Sequence, residues 1–397
     1  MERPSPPFPF LYRPMVAAAL GAGLGIVFFR TLSGAGPLLA LCLFSILGLA
    51  CWLKGLPPLR TFCLAVVFAL LRALLLPEFA LPLSIMAPFE RAREALLQIT
   101  GRLFPQQDGA LLCAMLWGDK SQLDTGLRAA YQGAGVAHIL ALSGLHVSFV
   151  AMALNRLTQR VDIRLRLALT AAALFAYCAI AAFPASLVRA TLMCLCPLCA
   201  QALGRKKDQP SSIAFAALCI LFCAPSALWD IGFQLSFGAV IAIAMLAAPL
   251  ADRLPFPQEL SESIAVSICG LLGTLPLSAY HFKELPLLSL FANLLILPLV
   301  PFAFLWSMAA CLLGLLYDPL GALMAPVGRL LLNGMNGAAT AVAGFPLSLL
   351  EVPKPSLLSC CLFYGAMLLL SRFCLLPARK KALAAAGLFA AAFLLMV

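Results

Sequence analysis

Long apolar runs separated by short polar turns follow one another along the whole chain, and this pattern constrains the fold more than any single motif. The runs fall at residues 14–29, 37–53, 59–76, 136–154, 167–183, 186–203, 211–224, 231–250, 263–280, 287–316, 320–343, 357–376 and 382–397, with a shorter one at 110–117. Soluble domains carry about a quarter charged residues. Here 11% of 397 residues are charged, 63% are hydrophobic and the mean hydropathy is +1.01. The expected fold class is therefore all-α, a polytopic integral membrane protein built as a bundle of roughly 10–12 spans at about 20 residues each. No window of ~100 residues has the mixed composition of a soluble catalytic module.

Four segments are expected along the chain. Residues 1–87 hold N-terminal transmembrane helices, 88–105 an interfacial amphipathic helix, 106–350 the main transmembrane domain and 351–397 C-terminal transmembrane helices. The first run follows Arg3 and Arg13 and ends at small residues, as a signal peptide does. A second run follows at once, which favours a retained anchor. In the second segment Phe89, Ala92, Leu96, Ile99 and Leu103 recur at helical spacing between Glu90, Arg91, Arg93, Glu94, Gln98 and Arg102. Such a two-faced helix is expected in the headgroup layer; a polar face packed on a missing domain is the alternative. The run at 287–316 is broken by Pro298 and Pro301, as in a split or re-entrant span. The last run is barely long enough to cross, which leaves a truncated reading frame open.

The net charge is +11. In a soluble protein that surplus points to nucleic acid; in a membrane protein it marks the cytoplasmic loops. Arg156, Arg160, Arg164 and Arg166 crowd one turn, Arg205, Lys206 and Lys207 another, with Arg253 and then Arg379, Lys380 and Lys381 further on. These turns are expected in the cytoplasm, and those at 183–185, 225–230 and 281–286 outside. Fifteen cysteines offer no disulfide framework; Cys196-Pro197-Leu198-Cys199, with Cys194, has no His or acid close by, and most of the others sit in apolar runs as small hydrophobes. No metal and no cofactor are expected.

Polar residues inside apolar runs carry the information, because burying them is costly unless they are partnered or wet. The densest group lies between His138 and Ser148. Ala137, Ala141, Gly144 and Ser148 fall at i, i+4, i+7 and i+11, a small-residue stripe suited to close helix packing. Ser143 and His146 are three apart and share a helix face. Three readings stay open for them: a structural hydrogen-bonded pair, polar groups lining a water-filled path, or Ser-His nucleophilic catalysis with Asp119 as the acid considered. Residues 117–121 superficially resemble the end of a phosphate-binding loop, but Cys113 stands where that motif needs glycine. Arg189 either snorkels to outer headgroups or faces an internal polar path. Asp230 reads as a helix cap or a site residue, with Gln234 one turn deeper. Asn293, Asn333 and Asn336 read first as helix glue.

The stretch Gly135-Val136-Ala137-His138-Ile139-Leu140-Ala141-Leu142-Ser143-Gly144-Leu145-His146-Val147 resembles the most recognisable motif of the ComEC family of competence proteins. Gly118-Asp119-Lys120-Ser121 precedes it, and Pro184-Ala185-Ser186-Leu187-Val188-Arg189-Ala190 and Asp230-Ile231-Gly232-Phe233-Gln234-Leu235-Ser236-Phe237 follow. Thr274-Leu275-Pro276-Leu277 with Tyr280-His281-Phe282, leading into Leu288-Ser289-Leu290-Phe291-Ala292-Asn293-Leu294, complete the order over about residues 106–310. The resemblance implies transport of single-stranded DNA across the cytoplasmic membrane in natural transformation, with no covalent step in this chain. Residues 106–350 would then form the transmembrane channel domain, with Ser143, His146, Arg189, Asp230, Gln234, His281 and Asn293 lining the channel or contacting DNA.

It also implies an external DNA receptor, a cytoplasmic motor ATPase, a separate nuclease and membrane lipid as partners, with oligomeric assembly left open. Larger members carry a β-rich domain and a metallo-β-lactamase-like domain. Three histidines and no HxHxDH string leave no binuclear zinc site here, and only residues 77–87 stand where the β-rich domain would enter. The rival functions are a transporter of a smaller anionic or hydrophobic solute and an intramembrane hydrolase using Ser143 and His146.

Overall fold

The computed structural model describes residues 13–32, 36–75, 83–104, 106–140, 142–204, 208–286, 288–345, 348–371, 374 and 377–395. The helices in chain order begin with α1 (Pro14–Thr31), α2 (Gly36–Leu53), α3 (Pro57–Leu75), α4 (Leu83–Leu103), α5 (Gln107–Leu112) and α6 (Thr125–Gly133). Then come α7 (Gly144–Leu157), α8 (Ile163–Ile180), α9 (Ala185–Ala202), α10 (Gln209–Cys223), α11 (Ile231–Ala251) and α12 (Gln258–Phe282). The series closes with α13 (Ser289–Ile296), α14 (Val300–Leu316), α15 (Asp318–Ala343), α16 (Leu357–Leu370) and α17 (Ala378–Leu394). One short antiparallel ribbon pairs β1 (Glu284–Pro286) with β2 (Leu349–Glu351). The protein is an all-α polytopic membrane protein. Among the described residues seven helices are long and apolar enough to cross a bilayer: α1, α2, α3, α8, α9, α11 and α12. The count reaches eight if α13 and α14, bent by 47° about the break between them, form one broken span.

That count is below the 10–12 read from the sequence, because several apolar runs do not fold as one long helix. Residues 110–117 form a short helix followed by a π-helical turn. Residues 209–223 and 357–370 fold as helices of 15 and 14 residues. The run 136–154 is also broken. Gly135 takes φ +74°, residues 137–139 make a single 3₁₀ turn, and Ser143 is extended at φ −130°, so α7 starts only at Gly144. The small-residue stripe is thereby interrupted: Gly144 and Ser148 share α7, Ala137 sits in the separate turn, and Ala141 lies outside the described residues.

By contact density the chain forms two compact units. The first comprises Met1–Ala80, Lys206–His281 and Pro353–Val397 and therefore holds α1–α3, α10–α12, α16 and α17. Arg13, at the N-terminus of α1, pairs with Asp208, the N-cap of α10, at 2.9 Å. The C-terminal carbonyls of α10, which no helix can satisfy internally, accept from Arg72 of α3: Phe222 at 2.7 Å and Cys223 at 3.1 Å. These contacts make α1, α3 and α10 start on one side and run the same way.

The second unit comprises Leu81–Arg205 and Phe282–Val352 and holds α4–α9, α13–α15 and the ribbon. Its core is the larger hydrophobic cluster, from Leu96 to Ala339. The amphipathic segment enters this core: Leu96, Ile99 and Leu103 of α4 are buried, while Glu90, Arg91, Glu94, Gln98 and Arg102 stay exposed. Its apolar face is thus spent on protein packing. Trp117 donates to Thr100 Oγ1 at 2.9 Å, and Arg329 of α15 donates to the Leu103 carbonyl at 2.6 Å. Tyr131 of α6 donates to Asn336 of α15 at 2.9 Å, which gives Asn336 the gluing role read from sequence.

Candidate functional site

The motif residues fall into both units, and each unit is described separately. In the second unit Ser143 is the N-cap of α7 and His146 its third residue. In a capping box the N-cap backbone N–H is usually taken by Glu or Gln. Here the Ser143 N–H donates to His146 Nδ1 at 3.0 Å, with Ser143 Oγ 3.3 Å from the same nitrogen. A ring nitrogen that accepts carries no proton, so the neutral imidazole keeps its hydrogen on Nε2. That Nε2 is buried with no hydrogen-bond partner. His146 itself is fully buried, its ring 4.8 Å from that of Phe304 and edge-on to Phe149 at 6.4 Å.

Helix α9 packs on the start of α7 through two neighbouring motifs. Ser186 donates to the Leu142 carbonyl, and a Cβ on Gly144 would stand 3.5 Å from the Ala190 side chain. Between them Arg189 is only 2% exposed, so its guanidinium lies inside the unit and the snorkelling reading gives way. Two positions further along α9, Thr191 Oγ1 and Cys178 Sγ are 3.3 Å apart.

Asn293 lies on α13, one turn beyond Ser289. Asn293 Oδ1 and Ser289 Oγ are both buried without a partner. The same holds for Ser307 Oγ of α14 and the Tyr177 hydroxyl of α8. Among the described residues, six neutral side-chain atoms are in this condition, and all but Ser371 Oγ belong to the second unit. A buried polar group kept dry and unpaired costs about 1–3 kcal/mol. Such groups in native interiors take ordered water or a ligand. Sequence reasoning passed over Tyr177 and Ser307, and named Ser289 only as part of a motif, because a lone hydroxyl in an apolar run carries no signal.

In the first unit Asp230 caps α11, accepting from the Phe233 N–H at 2.8 Å. Gln234 Nε2 donates to the Leu228 carbonyl at 3.1 Å, which turns Oε1 toward His281 Nε2 at 2.9 Å. Two motifs far apart in sequence are thereby tied, the start of α11 to the end of α12. The Tyr280 ring beside it carries Lys354 Nζ at 4.1 Å from its centre. Helices α11 and α12 cross closely: a Cβ on Gly273 would sit 2.5 Å from the Gly238 carbonyl oxygen. Sequence reasoning also passed over Arg72, although a charge inside an apolar run is a usable signal.

The loop at Gly118-Asp119-Lys120-Ser121 is a local turn. The Ser121 N–H donates to Asp119 at 2.9 Å and holds that carboxyl below its ordinary pKa.

The family model described as Competence protein matches residues 115–380. The chain belongs to the competence protein family. It is 27% identical over 281 residues to ComE operon protein 3 of Bacillus subtilis, covering 70% of this chain and 36% of that protein. It is 31% identical over 216 residues to Competence protein ComA of Neisseria gonorrhoeae, covering 50% of this chain and 30% of that protein. The chain thus spans about a third of the length of the curated relatives it matches. No solved structure matches it. The ordered motifs read as ComEC-like, from Gly118 to Leu294, all lie within the matched region, and ComEC-family membership stands.

Proposed function

We propose that this chain forms, or contributes to, the route by which single-stranded DNA crosses the cytoplasmic membrane during natural transformation. A polyanion with one charge per nucleotide cannot enter hydrocarbon; it needs a hydrated corridor with fixed positive or hydrogen-bonding groups. The observation that carries the reading is the concentration of buried, unpartnered polar atoms in the second unit: His146 Nε2, Tyr177 OH, Ser289 Oγ, Asn293 Oδ1 and Ser307 Oγ. Competence-family membership supports DNA as the cargo. Arg189, buried in the same unit, adds a fixed cation, and a guanidinium suits phosphate by geometry and permanence of charge.

Of the residues read from sequence, His146, Arg189 and Asn293 serve this role best. Ser143 and Asp230 are occupied as helix caps, and Gln234 and His281 bind one another, so these four hold the helices of their own units in place. The Ser143–His146 pair has the geometry of a cap, and the chain acts by transport without a covalent step. An external DNA receptor, a cytoplasmic motor and a separate nuclease would complete the pathway.

The test is a deletion strain. Loss of the gene abolishes transformation and cytoplasmic entry of labelled DNA, while DNA binding at the cell surface persists. Normal transformation in the deletion strain would assign the bundle to a smaller solute instead.

A further inference from the structure

Phe304 of α14 is fully buried at the meeting point of three helices. Its ring centre lies 4.8 Å from that of His146 and 5.9 Å from that of Phe149, both on α7, and 6.4 Å from that of Tyr177 on α8. Two of these partners present polar atoms with nothing to bond, His146 Nε2 and the Tyr177 hydroxyl. The apolar ring therefore stands among groups that gain hydrogen bonds only if water reaches them. One turn further along α14, Ser307 Oγ is also buried and unpartnered. Before the 47° break, Ser289 and Asn293 of α13 repeat the pattern. The broken helix pair thus carries unsatisfied polar groups on both sides of one aromatic cluster. Breaks of this kind are where a packed element changes direction at low cost.

We propose that Phe304 is the movable plug of a closed aromatic constriction in the second unit, with His146 and Tyr177 as the polar groups that its withdrawal wets. Narrow apolar rings exclude ions by dewetting, and removing the ring lets water through. The proposal rests on the transport reading above and adds to it the position of the barrier and the residue that forms it.

The experiment uses the full chain reconstituted into liposomes, with release of trapped potassium ions as the readout. The wild type and Phe304→Leu, which keeps a bulky apolar side chain, hold the gradient; Phe304→Ala raises the leak about tenfold or more. Leu332→Ala, a truncation at a fully buried position of α15 in the same core, stays at the wild-type rate. Should Phe304→Ala fail to accumulate, Phe304→Val is read in its place. A tight Phe304→Ala, or a tight Phe304→Val where that one is read, of normal thermal stability overturns the proposal, as does an equal leak from Leu332→Ala. The transformation assay keeps the two claims apart. A leaking Phe304→Ala with normal transformation in the deletion strain retains the plug and rejects the DNA cargo. A tight Phe304→Ala with transformation lost on deletion does the reverse.

Discussion

His281 Nε2 donates to Gln234 Oε1 across 2.9 Å and so joins the end of α12 to the start of α11. The direction follows from the amide, whose nitrogen is already committed to the Leu228 carbonyl at 3.1 Å. Removing either partner leaves the other half-buried and short of a bond, which costs about 1–3 kcal/mol. Gln234→Ala and His281→Ala are each expected to lower thermal stability by a similar amount. The double variant should lose little more than either single one. Thermal unfolding in detergent measures the cycle; strictly additive losses would separate the two residues.

Ser143 and His146 give a second prediction, because a cap and a catalytic pair respond differently to substitution. Ser143→Ala loses one cap, about 0.5–2 kcal/mol, and retains appreciable transformation. His146→Gln preserves the acceptor at the third helical position and keeps stability near wild type, whereas His146→Leu loses about 1 kcal/mol. Complete loss of function in Ser143→Ala, with labelling of Ser143 by a serine-reactive probe, would restore the hydrolase reading.

The Arg13–Asp208 tie carries a pH dependence. Partial burial pushes the Asp208 carboxyl up, but hydrogen bonds from Ser211 and Arg13 and the Arg13 charge outweigh it and hold the pKa below the ordinary 3.8. A carboxyl with a lowered folded-state pKa contributes in full above its unfolded value and loses that contribution as pH falls through the folded one. Wild-type protein should therefore lose more thermal stability than Asp208→Asn on going from neutral pH to about pH 3. Asparagine keeps the helix cap, so the difference isolates the charge. Equal acid sensitivity of the two proteins would remove Asp208 from the account.

Helices α11 and α12 supply a matched glycine pair. A Cβ on Gly273 would stand 2.5 Å from the Gly238 carbonyl oxygen and 2.6 Å from the Ala242 side chain, whereas one on Gly270 would meet only Ile243 at 3.6 Å. Gly273→Ala should cost about 1–3 kcal/mol through forced separation of the helices. Gly270→Ala should be neutral or slightly stabilising, because alanine is the better helix former. Thermal unfolding of the two variants separates them.

How much of this was legible beforehand varies by residue. Composition and the apolar runs gave the all-α membrane class, since only helices and closed barrels satisfy backbone away from water and continuous apolar runs of about 20 residues suit helices. The positions where helices start were harder. The run at 136–154 looks like one helix because apolar periodicity does not register that Ser143 is extended. The spacing of Ser143 and His146 did place them together, although as a cap with a histidine where Glu or Gln is usual. Gly144 does meet Ala190 of α9, but the tighter approaches at Gly238 and Gly273, and at Gly21 and Gly25 against α3, carried no separate signal, because glycine spacing marks a permissive surface without naming its partner. The Gln234–His281 bond joins motifs 47 positions apart, and such pairing is set by the fold alone. Tyr177 and Phe304 gave no signal, since an aromatic in an apolar run reads as core.

The central claim, that the polar interior of the second unit conducts DNA, is tested most directly by photo-crosslinking during uptake. A benzophenone amino acid is placed at Asn293, whose Oδ1 is buried and unpartnered, and for comparison at Phe302, which is 67% exposed on the outside of α14. Incoming labelled single strands should crosslink at position 293 and not at 302. Successful import with no crosslink at 293, or with equal crosslinking at both positions, would contradict the account.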